Sequence, residues 1–260
     1  MIARAIAAAA AAACAAALPA AAQLAQPQQG VAFEQRVGHG LPLALELRDE
    51  AGRPIALSRA LGSVPAVLVL GYLHCRDLCS IVLTDAVRAL DASGLAAGRD
   101  YRALFVSIDP ADDAPALAAA RRDRVPEADR AAWRFLGRDA PAIGRLANAI
   151  GFRYRADPAG GAFAHPAGFV VLTPQGTIAR YFNGVKFAPR DLRLALVQAG
   201  AGKIGAISDR IALLCYHFDP SKGRYTITVM RVLDGVIALF LAGCAIFAVL
   251  VLRGRGREAR

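Results

Sequence analysis

The sequence predicts a three-layer α/β domain carrying a strongly apolar segment at each end of the chain. Three observations predict it. Pro65 to Tyr72 (PAVLVLGY) and Tyr101 to Ile108 (YRALFVSI) are continuous apolar runs of strand length. Such runs suit strands covered on both faces, as in a parallel sheet. Stretches with helical spacing follow each of them. Further on, two strand-like runs flank Thr173-Pro174-Gln175-Gly176, with proline at the second turn position and glycine at the fourth, the chemistry of a type I turn.

The elements follow in order. Residues 23 to 30 (QLAQPQQG) read as a linker, and the folded part is expected to start near Val37. Leu43 to Leu47 alternates like a strand, and Glu50-Ala51-Gly52-Arg53 makes a turn. After the first buried strand, Cys79 to Leu90 places Val82, Leu83, Ala86, Val87 and Leu90 at helical spacing. The second buried strand ends in Asp109-Pro110. A helix over residues 112 to 124 has Pro115 in its first turn. Trp133 to Leu136 is a short strand. Asp139 caps a helix with Pro141 near its start, and Gly151 closes it. Gly168 to Leu172 and Thr177 to Phe182 form the hairpin, and Pro189 to Ala199 is a last helix ending at Gly200. Parallel strands followed by an antiparallel hairpin, with helices on both faces, make a thioredoxin-like arrangement.

The two ends bound the compartment. Apolar residues make up 56% of the chain, high for a purely soluble protein, and the ends supply much of the excess. Met1 to Ala22 reads as a signal peptide: Arg4 near the start, an alanine-rich run to Leu18, then Pro19 and the small residues Ala20-Ala21-Ala22. Cys14 lacks the leucine three residues earlier that a lipoprotein signal usually has. Gly235 to Leu252 (GVIALFLAGCAIFAVLVL), with Val232 and Leu233, is long enough to span a bilayer as a helix. Arg253, Arg255, Arg257 and Arg260 follow it, which points the tail into the cytoplasm. The expected division is a signal peptide over 1–22, a linker over 23–36 and a thioredoxin-like domain over 37–200. A juxtamembrane segment over 201–231, a transmembrane helix over 232–252 and a cytoplasmic tail over 253–260 complete it. The expected location is a bacterial inner membrane crossed once, with the main domain in the periplasm, where thiol pairs are oxidised or kept reduced for a task. The net charge of +10 is carried mainly by scattered arginines, without the basic stripe interleaved with aromatics that a nucleic-acid groove needs.

The chemistry concentrates in Gly71-Tyr72-Leu73-His74-Cys75-Arg76-Asp77-Leu78-Cys79-Ser80. Cys75 and Cys79 lie four apart, just after a buried strand and at the start of a helix. Backbone N–H groups at a helix N-terminus favour thiolates, and Arg76 adds positive charge, so Cys75 is expected to have a depressed pKa. Positions i and i+4 share a helix face, so both sulfurs can meet one metal ion or each other. A structural disulfide is the plainer alternative. His165, in Ala162-Phe163-Ala164-His165-Pro166-Ala167-Gly168, precedes the hairpin, and the topology brings that loop beside the cysteine-bearing helix start. Two thiolates and an imidazole suit copper as Cu(I) or Cu(II), and three ligands are too few for a closed structural zinc site. His74 adjoins Cys75 but points the other way if the strand continues. Asp77 reads as a solvated helix-start carboxylate. Asp109 reads as a cap for the next helix or as a group behind the ligands. Cys215 and His217 lie in a juxtamembrane stretch, Cys244 is a small apolar filler in the span, and His39 has no assigned role.

GYLHCRDLC, the Asp109-Pro110 after the next strand, and AHPAGFVVLTPQG together resemble the Sco/SenC family, exported copper proteins that assemble the binuclear copper centre of cytochrome c oxidase. The resemblance runs from about residue 37 to 231. LLCYHFDPSKGRYTI and the C-terminal anchor are similar to a bacterial, C-terminally membrane-anchored branch. It implies that Cys75, Cys79 and His165 are copper ligands, with Cys75 and Cys79 also a redox pair. The implied partner is the copper-site subunit of cytochrome c oxidase, which receives copper, has its cysteines reduced, or both. Another periplasmic copper chaperone or a thioredoxin-like reductant would act upstream. Two departures stand out: Arg76 and Ser80 occupy positions where the family often has proline. A general thiol-disulfide oxidoreductase, with Cys75 attacking and Cys79 resolving, is the alternative. A peroxidase role is disfavoured, because Tyr72 and Leu68 stand where Pro-x-x-x-Thr-x-x-Cys needs threonine and proline.

Overall fold

The structure, a computed structural model, describes residues 30–73, 78–156 and 163–204, together with 218–219, 224–225 and 240. The chain divides into two units, Gly30–Cys215 and a second comprising Met1–Gln29 with Tyr216–Arg260.

The first unit is built on a five-stranded sheet. Its strands are β4 (Ala66–Gly71), β5 (Arg102–Ser107), β6 (Trp133–Leu136), β10 (Gly168–Leu172) and β11 (Ile178–Asn183), in the order β11-β10-β4-β5-β6. The β4–β5 and β5–β6 pairs are parallel, and β10 runs antiparallel to both β4 and β11. This is the expected α/β arrangement, parallel strands extended by an antiparallel hairpin.

Every residue of β4 and β10 is buried. The period of two explains why both faces needed apolar side chains. Leu68, Leu70, Leu104, Val106, Val170 and Leu172 join one core with α1 (Leu57–Leu61) and α4 (Ala140–Ala149). Val67, Val69, Ala103, Phe105, Val171 and Phe169 join the other with α2 (Leu78–Asp91), α3 (Ala114–Arg124) and α5 (Pro189–Gly200). Substituting a charge at either parity would therefore bury it.

The helix ends follow their capping residues. Asp113 accepts from the Ala116 N–H at the start of α3, and Asp139 accepts from the Ala142 N–H at the start of α4. In the hairpin the Gly176 N–H donates to the Thr173 carbonyl at 2.9 Å. Gly176 itself has φ +74°, which a glycine adopts without a Cβ penalty. A bulge between Val171 and Leu172 accompanies the turn.

Two expectations about the N-terminal half are corrected. The fold begins before Val37: β1 (Ala32–Phe33) pairs with β7 (Phe152–Arg153), and the Phe33 ring packs against Phe152 and Tyr181. Leu43 and Leu45 lie in a loop, where their carbonyls accept from Ser58 and Leu57 of α1. The strand there is β2 (Glu46–Arg48), which pairs with β3 (Pro54–Ala56) across a turn held by Asp49. The remaining elements of this unit are a 3₁₀ turn (Glu127–Ala132) and the short pair β8 (Arg155–Ala156) and β9 (Phe163–Ala164).

In the second unit, β12 (Phe218–Asp219) pairs antiparallel with β13 (Arg224–Tyr225). Among the described residues no helix is long and apolar enough to cross a membrane. The segments expected to be signal peptide and transmembrane helix lie outside the described residues, Phe240 apart, as do Cys14, Cys215, His217 and Cys244.

Candidate functional site

The site lies at the carboxyl edge of β4 and β5. Gly71 and Ser107 are register partners at the ends of these strands, and the Ile108 N–H donates to the Gly71 carbonyl at 2.8 Å. Beyond Gly71 come Tyr72, which is buried, and Leu73. Residues 74–77, Cys75 among them, lie outside the described residues, and Cys79 falls in the first turn of α2. That turn contains no acidic residue, so no carboxylate there opposes the favourable field a helix start offers a thiolate.

A carboxylate network anchors the chain where it enters this loop. Asp112 is completely buried. Its Oδ2 accepts from the Leu73 N–H at 2.9 Å and from the Ser107 hydroxyl at 2.5 Å. The Ser107 oxygen accepts in turn from the Asp109 N–H at 3.1 Å. Arg124, at the far end of α3, donates to the Leu73 carbonyl at 3.4 Å. Asp109 does not take the expected role of helix cap. Its Oδ1 accepts from the Ala111 N–H in a tight turn, and the cap of α3 is Asp113. The group behind the loop is Asp112. Nothing in Asp109-Pro110-Ala111-Asp112-Asp113 marks which of the three aspartates turns inward.

His165 arrives from the other side of β4. Phe169 faces Val69 and Leu172 faces Ala66 across the β10–β4 pair. Past that pair, His165 meets the end of β4 through its ring contact with Tyr72. The imidazole lies edge-on to the Tyr72 ring, with centroids 5.8 Å apart at 77°, and tilted by 31° against Phe152 at 5.5 Å. Nδ1 is 2.9 Å from the Pro166 carbonyl. A carbonyl only accepts, so Nδ1 carries the proton and, in the neutral ring, the lone pair is on Nε2. Burial lowers the His165 pKa below its ordinary value and so favours the neutral ring, opposed in part by the Pro166 contact. A neutral imidazole with one nitrogen tied to a carbonyl is the usual form of a metal-ligating histidine.

The structure thus brings His165 to the strand end from which the cysteine loop departs and puts Cys79 at the start of the helix that loop feeds. Among the described residues no group of three or more metal-ligating side chains is assembled. His39 lies elsewhere, its Nδ1 3.2 Å from the Arg36 carbonyl.

A family model for SCO1/SenC matches residues 42–198. The chain belongs to the SCO1/SenC family. Solved structures share the fold of this SCO1/SenC domain. A protein from Aquifex aeolicus VF5 superposes with a TM-score of 0.58 at 24% identity, over 66% of this chain and 98% of that one. Arabidopsis thaliana ScoI with copper bound gives 0.53 at 17% identity, over 64% and 99%. BsSco, described with a disulfide switch and as a member of the Sco family of cytochrome c oxidase assembly proteins, gives 0.50 at 20% identity, over 65% and 99%. Comparison with curated proteins gives no match.

Proposed function

We propose that this SCO1/SenC protein binds copper through the thiolates of Cys75 and Cys79 and Nε2 of His165, and acts in assembling the binuclear copper site of cytochrome c oxidase. The observation that carries the reading is the placement of a neutral, Nδ1-tethered His165 across from the strand end that leads to Cys75. Copper is the cargo. Soft thiolates favour Cu(I) and the imidazole extends the set to Cu(II), so the donor chemistry fits either state. Membership of the family and the copper-bound ScoI relative support this reading.

The same cysteines would reduce the oxidase subunit before loading it. The Cys75 thiolate attacks one sulfur of the subunit's disulfide, forming a mixed disulfide and releasing one thiolate. The Cys79 thiolate then attacks Cys75 Sγ and releases the second. Two electrons pass to the subunit, and a Cys75–Cys79 disulfide remains for a thioredoxin-like reductant to reopen. The disulfide switch described for BsSco favours keeping this step beside delivery. Periplasmic placement of the domain by the signal peptide (1–22) and the C-terminal span (232–252) would hold the site close to a membrane-embedded oxidase, where tethering raises effective concentration.

The test is titration of the reduced full chain in detergent with Cu(I) and Cu(II) separately, alongside His165→Ala and Cys75→Ser. One tight copper per chain, lost or much weakened in both variants, is expected. Copper binding that is feeble, or unchanged by His165→Ala, would leave thiol-disulfide exchange through Cys75 and Cys79 as the function.

A further inference from the structure

We infer that Tyr72 is the positioning residue for His165, the side chain through which the cysteine-bearing strand sets the orientation of the imidazole. The inference rests on the copper reading for its functional meaning, but its geometric basis stands apart from it.

His165 lies just outside β9, in a stretch with no long strand pairing to hold it. A histidine side chain has two rotatable bonds, and a ring that samples several rotamers presents Nε2 to the cysteine loop only part of the time. Contacts among the described residues restrict it here. The Pro166 carbonyl holds Nδ1, Phe152 of β7 lies against the ring, and Tyr72 meets it edge-on. Tyr72 does more than cover one side. Phe163 and His165 are two residues apart, a spacing that puts side chains on the same face of an extended chain. Tyr72 packs edge-on to both, at 5.3 Å and 64° for Phe163 and at 5.8 Å and 77° for His165. It is therefore seated between the two rings of the histidine segment.

Tyr72 is itself buried, and it belongs to the chain that enters the cysteine loop three residues before Cys75. Its neighbour Leu73 is tied at the N–H by Asp112 and at the carbonyl by Arg124. The backbone beneath Tyr72 is thus anchored to α3 and to the loop leading into it. Tyr72 therefore ties the imidazole to the strand that leads to the cysteine pair. Phe152 gives the second wall, and it is held by Phe33 at 5.4 Å.

The consequence is unequal for the two copper states. Soft thiolates carry the larger share of Cu(I) binding, and the imidazole a larger share of Cu(II) binding. Loosening the ring should therefore weaken Cu(II) far more than Cu(I).

The experiment uses the full chain in detergent with ¹³C,¹⁵N-labelled histidine, and it has a metal-free and a metal-bound arm. In the metal-free arm, relaxation of the His165 ring, assigned with His165→Gln, is compared in wild type, Tyr72→Leu and Tyr72→Phe. In the metal arm, Cu(I) and Cu(II) affinities are measured on the same proteins. The expected result is a mobile ring in Tyr72→Leu, with Cu(II) affinity lowered roughly 10–100-fold, the range seen when groups behind a ligand are removed. Tyr72→Phe, which keeps the ring, should restore both. A ring as ordered in folded Tyr72→Leu as in wild type overturns the inference. So does an equal loss in Tyr72→Phe, which would assign the effect to the hydroxyl. If Tyr72→Leu does not fold, Tyr72→Met decides by the same readouts, and an unaltered ring there overturns the inference. If wild type binds no copper while Tyr72→Leu frees the ring, the positioning role stands and the copper reading fails.

Discussion

Replacing Asp112 by alanine removes the acceptor that one buried and one part-buried donor share, and the cost can be worked from its contacts. The part-buried Leu73 N–H at 2.9 Å and the buried Ser107 hydroxyl at 2.5 Å both lose their partner. A buried donor left unsatisfied costs about 1–3 kcal/mol. Ser107 can turn to the Asp109 carbonyl, already 3.5 Å away, and recover part of its share. The sum is about 2–4 kcal/mol, which for a domain of this size lowers Tm by roughly 5–15 °C. Asp112→Asn keeps an acceptor oxygen and should cost less than half as much. The single tryptophan, Trp133, is buried in the sheet and reports unfolding by fluorescence. Amide hydrogen exchange at Leu73 reports the local effect and should accelerate in Asp112→Ala before global unfolding. An Asp112→Ala protein that melts with wild type and keeps the Leu73 amide protected would refute the account of how the cysteine loop is anchored.

Two further outcomes follow from other parts of the fold. Asp85 of α2 accepts from Arg88 and, at 2.6 Å, from the Phe187 N–H, and these bonds, Arg88 first, lower its pKa. Because the unfolded chain binds that proton more readily, the stabilisation is complete above the ordinary carboxylate value of 3.8 and is lost as pH falls below it. Melting temperature against pH should therefore fall less steeply on the acid side in Asp85→Asn than in wild type, and parallel curves would exclude the linkage. Gly151→Ala should destabilise by more than about 2 kcal/mol, since a Cβ at φ +67° would sit 2.0 Å from the Glu34 carbonyl and force β1 off β7. Urea unfolding followed by Trp133 fluorescence measures it, and a change within error would mean that the β1–β7 pair adds nothing to stability.

Much of the fold was legible because it is written in local patterns. PAVLVLGY and YRALFVSI are apolar at every position, and only strands covered on both faces need that. Asp139, Pro141 and Gly151 bracket α4, and Thr173 to Gly176 encode their turn, because caps and turns depend on residues a few positions apart. The pair Cys75 and Cys79 is proposed on the same kind of local pattern, from its spacing and its place between a strand and a helix. His165 needed the order of elements as well as its own neighbours.

The tertiary structure decided what spacing cannot carry. β1 and β7 are two residues long, too short to show a period, and they meet across more than a hundred residues of chain. The choice of Asp112 over Asp109 as the acceptor for the Leu73 N–H depends on how the β5–α3 turn folds back toward Leu73, and three aspartates within five residues look alike in sequence. Tyr72 and Phe152 lie against His165, and Phe163 lies against Tyr72, because the ends of β4, β7 and β9 converge there, a fact of packing between distant segments. The sequence alone therefore determined which side chains are reactive, since reactivity belongs to residue type. The tertiary structure determined which side chains hold His165 and the cysteine-bearing strand in place, since orientation is set by contacts between segments far apart in the chain.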